Sequence, residues 1–493
     1  MKEGSFLFTL VTALGLVTAQ LVHNLVALKD YGVFSGTILD QTSESCLQFE
    51  VFRTPGVPLG KKLPILVWIH GGSFNVGHQQ NFDGAAFVAN SQQPLVVMTF
   101  NYRLGPLGSL PSPLFEEESL LNLGLLDQNL FLQFVQKHAS SFGADPGMVT
   151  LGGLSAGGHA VGIHHFGDYD DMNESSLFAR VIYQSGSVTA RTFPNATCPL
   201  YQTQYEEFTQ LVGCPSQGNN EEILACLRST ELAKIRDAGA AIFDRYNPII
   251  NWPWQPVKNA PLFENPGSQS GYERTFFQIP TLTTTVTDEA KTFVPGTLET
   301  GEEFLDFLRT STPGLNDDDL RNLEELYPDP VTDPESPYID SFNSTQYNRL
   351  AAAWGDFAYR CPIQETSYRV ATAGQPIYKL RWNTGNRSPT WQGIPHGIDS
   401  SYVWNEPDTE YPEMRRAYHA YISNFVLTGN PNTYRLEGMP KWPLYKPLGY
   451  GLEFSAPKQL VVGSDGASIQ QDEIRRGQCL FWRDPERALR LNK

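Results

Sequence analysis

Covalent chemistry first becomes possible in this chain at Gly153-Leu154-Ser155-Ala156-Gly157, a serine set between glycines directly after a short apolar run. Small flanking residues let a strand and a helix approach closely around a strained turn, and such a turn presents its serine hydroxyl to a substrate. A hydroxyl is a weak nucleophile until a base takes its proton, and a histidine base needs a carboxylate to fix its tautomer. On a strand-turn-helix serine those partners follow in the order serine, acid, histidine. Nine histidines are present. His159, His164 and His165 lie too close behind the turn to reach back to Ser155, whereas His396, in Ile-Pro-His-Gly-Ile-Asp, occupies a Pro/Gly-flanked loop suited to a catalytic residue. Asp288-Glu289 closes the apolar, Thr-rich run 279–287, which would put one of the two carboxylates at the C-terminal end of a strand. Acyl transfer also needs donors where charge develops on the carbonyl oxygen. His70-Gly71-Gly72-Ser73-Phe74 can aim backbone N–H groups there, joined by the N–H of Ala156.

These residues have to be carried by elements of the right kind. Residues 63–70 (LPILVWIH) and 95–101 (LVVMTFN) are apolar runs expected of strands buried on both faces. Residues 123–138 have helical spacing, with Leu126, Leu130 and Phe134 predicted on one face. A short strand at 149–151 should enter the Ser155 turn, a helix should continue over 158–165, and residues 46–52 and 401–404 read as strand-like. Strand and helix signals alternate as a mostly parallel sheet flanked by helices requires. The candidate site residues run from Gly72 to His396 with no linker or repeat between them, so residues 20–493 are expected to form one domain with large insertions.

Lys2 followed by the apolar stretch 6–17 and the small residues Thr18 and Ala19 reads as a signal peptide over residues 1–19. That stretch is shorter than the about 20 apolar residues a membrane span needs, and no later segment qualifies. Four sequons, at Asn173, Asn195, Asn343 and Asn386, agree with a secreted, glycosylated protein. The formal charge of −17 repels phosphate backbones and argues against a nucleic-acid partner. Six cysteines in an oxidising compartment suggest disulfides; Cys214 and Cys226 bracket a polar stretch and form the favoured local pair, while many other pairings stay open.

Taken in order, these stretches resemble the type-B carboxylesterase family, which includes cholinesterases and fungal extracellular lipases. The likeness rests on Ser45-Cys46-Leu47, Val67-Trp68-Ile69-His70-Gly71-Gly72, Asn101-Tyr102-Arg103-Leu104-Gly105, Gly124-Leu125-Leu126-Asp127-Gln128, Phe142-Gly143-Ala144-Asp145-Pro146, the Ser155 turn, Gln184-Ser185-Gly186-Ser187, Asp288-Glu289 and Pro395-His396-Gly397. It implies an α/β-hydrolase fold and a catalytic Ser155, Glu289 and His396, with Glu289 rather than Asp288 as the acid. It also implies oxyanion donors on Gly72, Ser73 and Ala156, a supporting Ser185, the disulfides Cys214–Cys226 and Cys361–Cys479, and a structural Arg103–Asp127 ion pair. The implied activity is hydrolysis of a small-molecule ester through an acyl-enzyme, with no metal or organic cofactor. Two rivals remain: a lipase acting on long-chain lipid esters, and a non-catalytic cholinesterase-like binding protein. Trp252, Trp254 and Phe74 are candidates to line the pocket.

The chain departs from the family pattern at three places. Leu154 stands where the family usually has Glu, which removes a carboxylate beside the nucleophile. Ser73 replaces a third glycine. Between the segments 31–36 and 45–47 only residues 37–44 remain of a long loop that in the family walls one side of the gorge and carries a cysteine that pairs near Cys46. The expectation is therefore that Cys46 and Cys198 do not bond to each other and that the site is open on that side. A natural short-loop variant would cover the exposed rim with polar or repacked side chains, whereas a lost coding segment would leave a large apolar patch and an open sheet edge.

Overall fold

The computed structural model describes residues 26–28, 32–34, 46–167, 176–339, 341 and 343–493. The expected signal peptide and the Asn173 sequon lie outside them. Eleven strands are present among the described residues: β1 (Val26–Leu28), β2 (Gly32–Phe34), β3 (Phe49–Arg53), β4 (Leu63–Ile69), β5 (Val96–Phe100), β6 (Ala144–Leu154), β7 (Arg180–Gln184), β8 (Thr281–Val286), β9 (Ile377–Asn383), β10 (Lys458–Gly463) and β11 (Gly466–Gln471). β1 and β2 form an antiparallel pair, and the other nine form one sheet in the order β11-β10-β9-β8-β7-β6-β4-β5-β3. Its pairings are parallel from β5 through β10, with the antiparallel strands β3 and β11 at the two edges. This is the α/β-hydrolase architecture, a mostly parallel sheet between layers of helices.

Strand β4 shows why the sheet is covered on both faces. Its seven residues contain no charge; Ile65, Val67 and Ile69 enter the core under the helices Leu123–His138 and Ala156–Phe166, while Leu66 and Trp68 enter the opposite core against the helix Pro412–Thr428. Side chains alternate across a strand, so an uninterrupted apolar run requires apolar partners on either side. Two further cores lie in the helical insertions between β7 and β8 and between β8 and β9.

Two local expectations are corrected. The buried face of helix Leu123–His138 carries Leu125, Gln128, Leu132 and Val135, whereas Leu130 is 55 % exposed and Leu126 and Phe134 are only partly buried. The helix is rotated by about one residue from the leucine stripe because Gln128 is accepted inside, where its Oε1 pairs with His164 Nε2 at 3.0 Å. Residues 401–404 are not a strand: Ser400–Val403 is a short helix, with Val403 N donating to Asp399 O at 3.0 Å and Trp404 N to Ser400 O at 3.0 Å. Short apolar runs of either kind look alike in sequence.

The described part holds two disulfides, Cys214–Cys226 with Cα atoms 5.8 Å apart and Cys361–Cys479 at 4.8 Å; Cys46 and Cys198 are not joined to each other. No helix among the described residues is long and apolar enough to cross a membrane. Of the described sequons, Asn343 is exposed and Asn195 partly buried, while Asn386 spends its Nδ2 on Ser401 Oγ at 3.2 Å.

Candidate active site

Gly72, Ser155, Ser185 and Glu289 follow the carboxyl ends of the parallel strands β4, β6, β7 and β8, next to the crevice between β4 and β6. There the chain order reverses: β4 is followed by β5 on one side, and β6 returns on the other. Ser155 follows β6 directly and opens the helix Ala156–Phe166 with φ 59° and ψ −124°, a backbone conformation that a side-chain-bearing residue adopts only under constraint. The constraint is steric. A Cβ on Gly157 would fall 2.0 Å from Ile69 O, and one on Gly153 would fall 2.4 Å from the Gly157 carbonyl, so only glycines allow β4, β6 and the helix to meet here.

Next to this turn the β4 loop coils through left-handed conformations at Gly72 (φ 110°), Ser73 (φ 55°) and Phe74 (φ 61°). The Ser73 carbonyl is held from outside by Asn75 Nδ2 at 2.7 Å and Gln255 Nε2 at 2.8 Å. Below the loop, His70 donates from Nδ1 to Gly71 O at 2.8 Å and stacks on Tyr102 with ring centroids 4.5 Å apart. Burial lowers the His70 pKa to about 4, so this buttress is neutral. Among the described residues the N–H groups of Gly72, Ser73 and Ala156 donate to no protein acceptor, which leaves three backbone donors free.

Glu289 follows β8 and is 2 % exposed. Its Oε1 accepts from Ser185 Oγ at 2.8 Å and from Val286 N at 2.9 Å, and its Oε2 lies 2.6 Å from His396 Nδ1. A carboxylate accepts, so the proton sits on Nδ1 and the Nε2 lone pair points away from the acid. Asp288 does a different job. Its Oδ2 accepts from Ile394 N at 2.9 Å, and the backbones of Asp288 and Pro395 pair, which pins the loop that carries His396. Ser185 sits at the end of β7 with φ 47°, fully buried, its hydroxyl directed to the acid.

One expected contact is absent. A serine activated by a histidine base would share a hydrogen bond of about 3 Å with it, yet His396 Nε2 is buried with no partner. The Ser155 hydroxyl interacts instead with the phenol of Tyr359, whose ring lies 4.5 Å from that of His396. Sequence reading missed Tyr359. It lies on a single π-helical turn, Asp356–Arg360, immediately before the disulfide-bonded Cys361. Such turns have no simple residue pattern but cluster at functional sites; proximity to Cys361 was the one available hint.

The other residues singled out fall into supporting places. Arg103 grips Asp127 through Nε at 2.7 Å and Nη2 at 2.8 Å, a bidentate structural pair. Leu154 packs against the His396 loop, 3.9 Å from the position a Cβ on Gly397 would take. His159, His164 and His165 are buried and their pKa values lowered by that burial, to about 4 for the last two. Trp252 is buried in a ring cluster with Phe293 at 5.5 Å, and Phe293 reaches His396 at 5.2 Å; Phe74 is core. Trp254 lines a groove of about 670 Å³ beside the Gly72 loop, together with Cys46, Val76, Leu104, Leu232 and Ile235.

Comparison with known proteins agrees with this geometry. A family model described as "Carboxylesterase family" matches residues 22–482. The chain is 54% identical over 461 residues to a protein named Secreted lipase 4 of Gibberella zeae, covering 94% of this chain and 82% of that protein. It is 28% identical over 466 residues to an acetylcholinesterase of Bungarus fasciatus, covering 89% and 72% of the two chains. The crystal structure of Aspergillus niger EstA superposes with a TM-score of 0.78 at 24% identity, covering 92% of this chain and 85% of that one, a likeness of fold.

Proposed function

The chain belongs to the carboxylesterase family, and on that premise we propose that it is a secreted serine carboxylic ester hydrolase with Ser155 as nucleophile, His396 as base and Glu289 as orienting acid. The observation that carries this reading is the 2.6 Å Glu289–His396 contact, which leaves a buried Nε2 without a partner beside a strained serine turn. The Ser155 side chain turns from Tyr359 toward His396 as substrate enters. Oγ then attacks the ester carbonyl while Nε2 takes its proton, and the oxyanion is held by the N–H groups of Gly72, Ser73 and Ala156. Collapse of the intermediate breaks the C–O bond, and His396 returns the proton to the departing alcohol. Water, deprotonated by His396, attacks the acyl-enzyme by the same route, releasing the acid and restoring Ser155.

The relative named a secreted lipase favours a second reading, action on long-chain lipid esters, and the two disulfides fit export. Glycosylation is proposed at Asn343 and Asn195, with Asn386 the least suited because its amide nitrogen is engaged. Comparing a soluble short-chain ester with an emulsified long-chain triglyceride separates the readings. The esterase reading expects the soluble ester to be turned over and Ser155→Ala to lower kcat by about 10⁴ to 10⁶. Preference for the emulsion supports the lipase, and no hydrolysis of either would leave a binding protein.

A further inference from the structure

Arg191 is a buried cation beside the candidate site that no carboxylate among the described residues neutralises. It is 7 % exposed, its Nε has no partner, and its one protein acceptor is Gln255 Oε1. Buried guanidinium groups elsewhere in the molecule are better served. Arg349 has Asp329 at 3.5 Å and the Tyr327 carbonyl at 2.7 Å, and Arg53 donates to the carbonyls of Val57 and Pro58. Burial lowers the pKa of Arg191, and the groups that act against this are phenols, Tyr359 and Tyr201, rather than acids. A guanidinium whose one protein acceptor is a neutral amide oxygen and whose Nε is buried without a partner is an incomplete arrangement.

Its position gives that incompleteness a use. The guanidinium carbon lies 4.5 Å over the ring of Trp252, the cluster continues through Phe293 to His396, and the phenol of Tyr359 interacts with both Arg191 and Ser155. Through Gln255 the same side chain connects to the Ser73 carbonyl of the proposed oxyanion loop. Trp252 and Gln255 orient the planar group but supply no negative charge. We propose, resting on the hydrolase reading above, that Arg191 receives a carboxylate carried by the substrate ester close to its scissile carbonyl. The acidic surface opposes approach of such an ester only weakly, because charges beyond about 8 Å are screened at physiological salt; contact with Arg191 decides at short range.

Three esters of similar size test this: monobutyl succinate, with its carboxylate on the acyl side; the butyrate ester of glycolate, with its carboxylate on the alcohol side; and neutral butyl isocaproate. The wild-type protein should favour one anionic ester over the neutral one by about 10- to 100-fold in kcat/KM, mostly through KM, as a charged hydrogen-bonded pair warrants. Which ester is favoured identifies the side. Arg191→Met should abolish that preference, the favoured anionic ester losing at least about tenfold more in kcat/KM than the neutral one, and Arg191→Lys should keep part of it. Equal loss on all three esters, or a wild-type preference for the neutral ester, would overturn the proposal. Calorimetric binding of the same three esters to Ser155→Ala, which cannot turn them over, repeats the comparison without catalysis: equal affinities for all three overturn the proposal. Hydrolysis of the neutral ester that depends on Ser155 but shows no anionic preference removes this inference and leaves the hydrolase reading standing, whereas activity unchanged in Ser155→Ala removes the latter.

Discussion

The two sides of the His396 ring are built on opposite principles. Toward Glu289 every polar atom is satisfied: the carboxylate has Ser185 Oγ, Val286 N and His396 Nδ1 within 2.9 Å, and Asp288 fixes the loop behind. Toward Ser155 the ring offers a buried nitrogen with no partner, and the nearby guanidinium of Arg191 is also incomplete. Leaving a buried polar group unpaired has a cost, so it persists where something else completes it. The closed side keeps the imidazole in one tautomer; on the proposed hydrolase reading, the open side is where a substrate finishes the arrangement.

Glu289→Gln should break the closed side most severely. An amide donates where the carboxylate accepted and favours the wrong imidazole tautomer, so ester hydrolysis should fall by about 10⁴-fold in kcat, measured on a soluble ester. Retention of more than about a tenth of the activity would mean that Asp288 or another group orients His396.

The second effect sharpens the contrast by using histidines that are not at work. His70, His164, His165 and His419 have pKa values lowered by burial to about 4. Their unfolded values lie near 6.5, so the unfolded chain binds more protons between those limits. Their stabilising effect is complete above pH 6.5 and is lost as pH falls toward 4, each contributing up to about 1.4 kcal/mol per pH unit. Asp399, raised by burial to about 6, and Glu50, Asp356 and Glu406, also raised by burial, work in the opposite sense at lower pH, whereas His159, lowered by burial, adds to the four histidines. The thermal midpoint should therefore drop between pH 7 and pH 5, equally in the wild type and in Glu289→Gln; a flat profile would show that these histidines are charged inside the fold.

The smallest effect is expected from Ser185→Ala, which removes one of three donors to the acid. About tenfold in kcat, corresponding to one hydrogen bond to a charged group, separates support from orientation; a loss as deep as that of Glu289→Gln would make Ser185 part of the machinery.

What the sequence made legible follows the same division. The apolar runs of β4 and β5 and the glycine-flanked serine are local patterns forced by burial and steric contact, and the family likeness added pairings such as Cys361–Cys479 that spacing leaves open. Asp288 looked like a rival acid because adjacency does not say which carboxylate turns inward. Arg191 was invisible since a lone arginine in sequence is ordinarily a solvated one, and its meaning comes from what fails to surround it. Tyr359 reaches Ser155 through a π-helical turn, an irregularity of backbone winding rather than of composition. Gln128 upset the helix face because a polar residue can be core when a buried histidine accepts it as partner.

The central claim is that the open side of His396 activates Ser155. Its most direct test is to treat the intact protein with a fluorophosphonate ester, digest it and locate the adduct by mass spectrometry. The account predicts one phosphonyl group on the peptide containing Ser155, formed in step with loss of esterase activity. An adduct on another residue, or full inactivation with Ser155 unmodified, would contradict it.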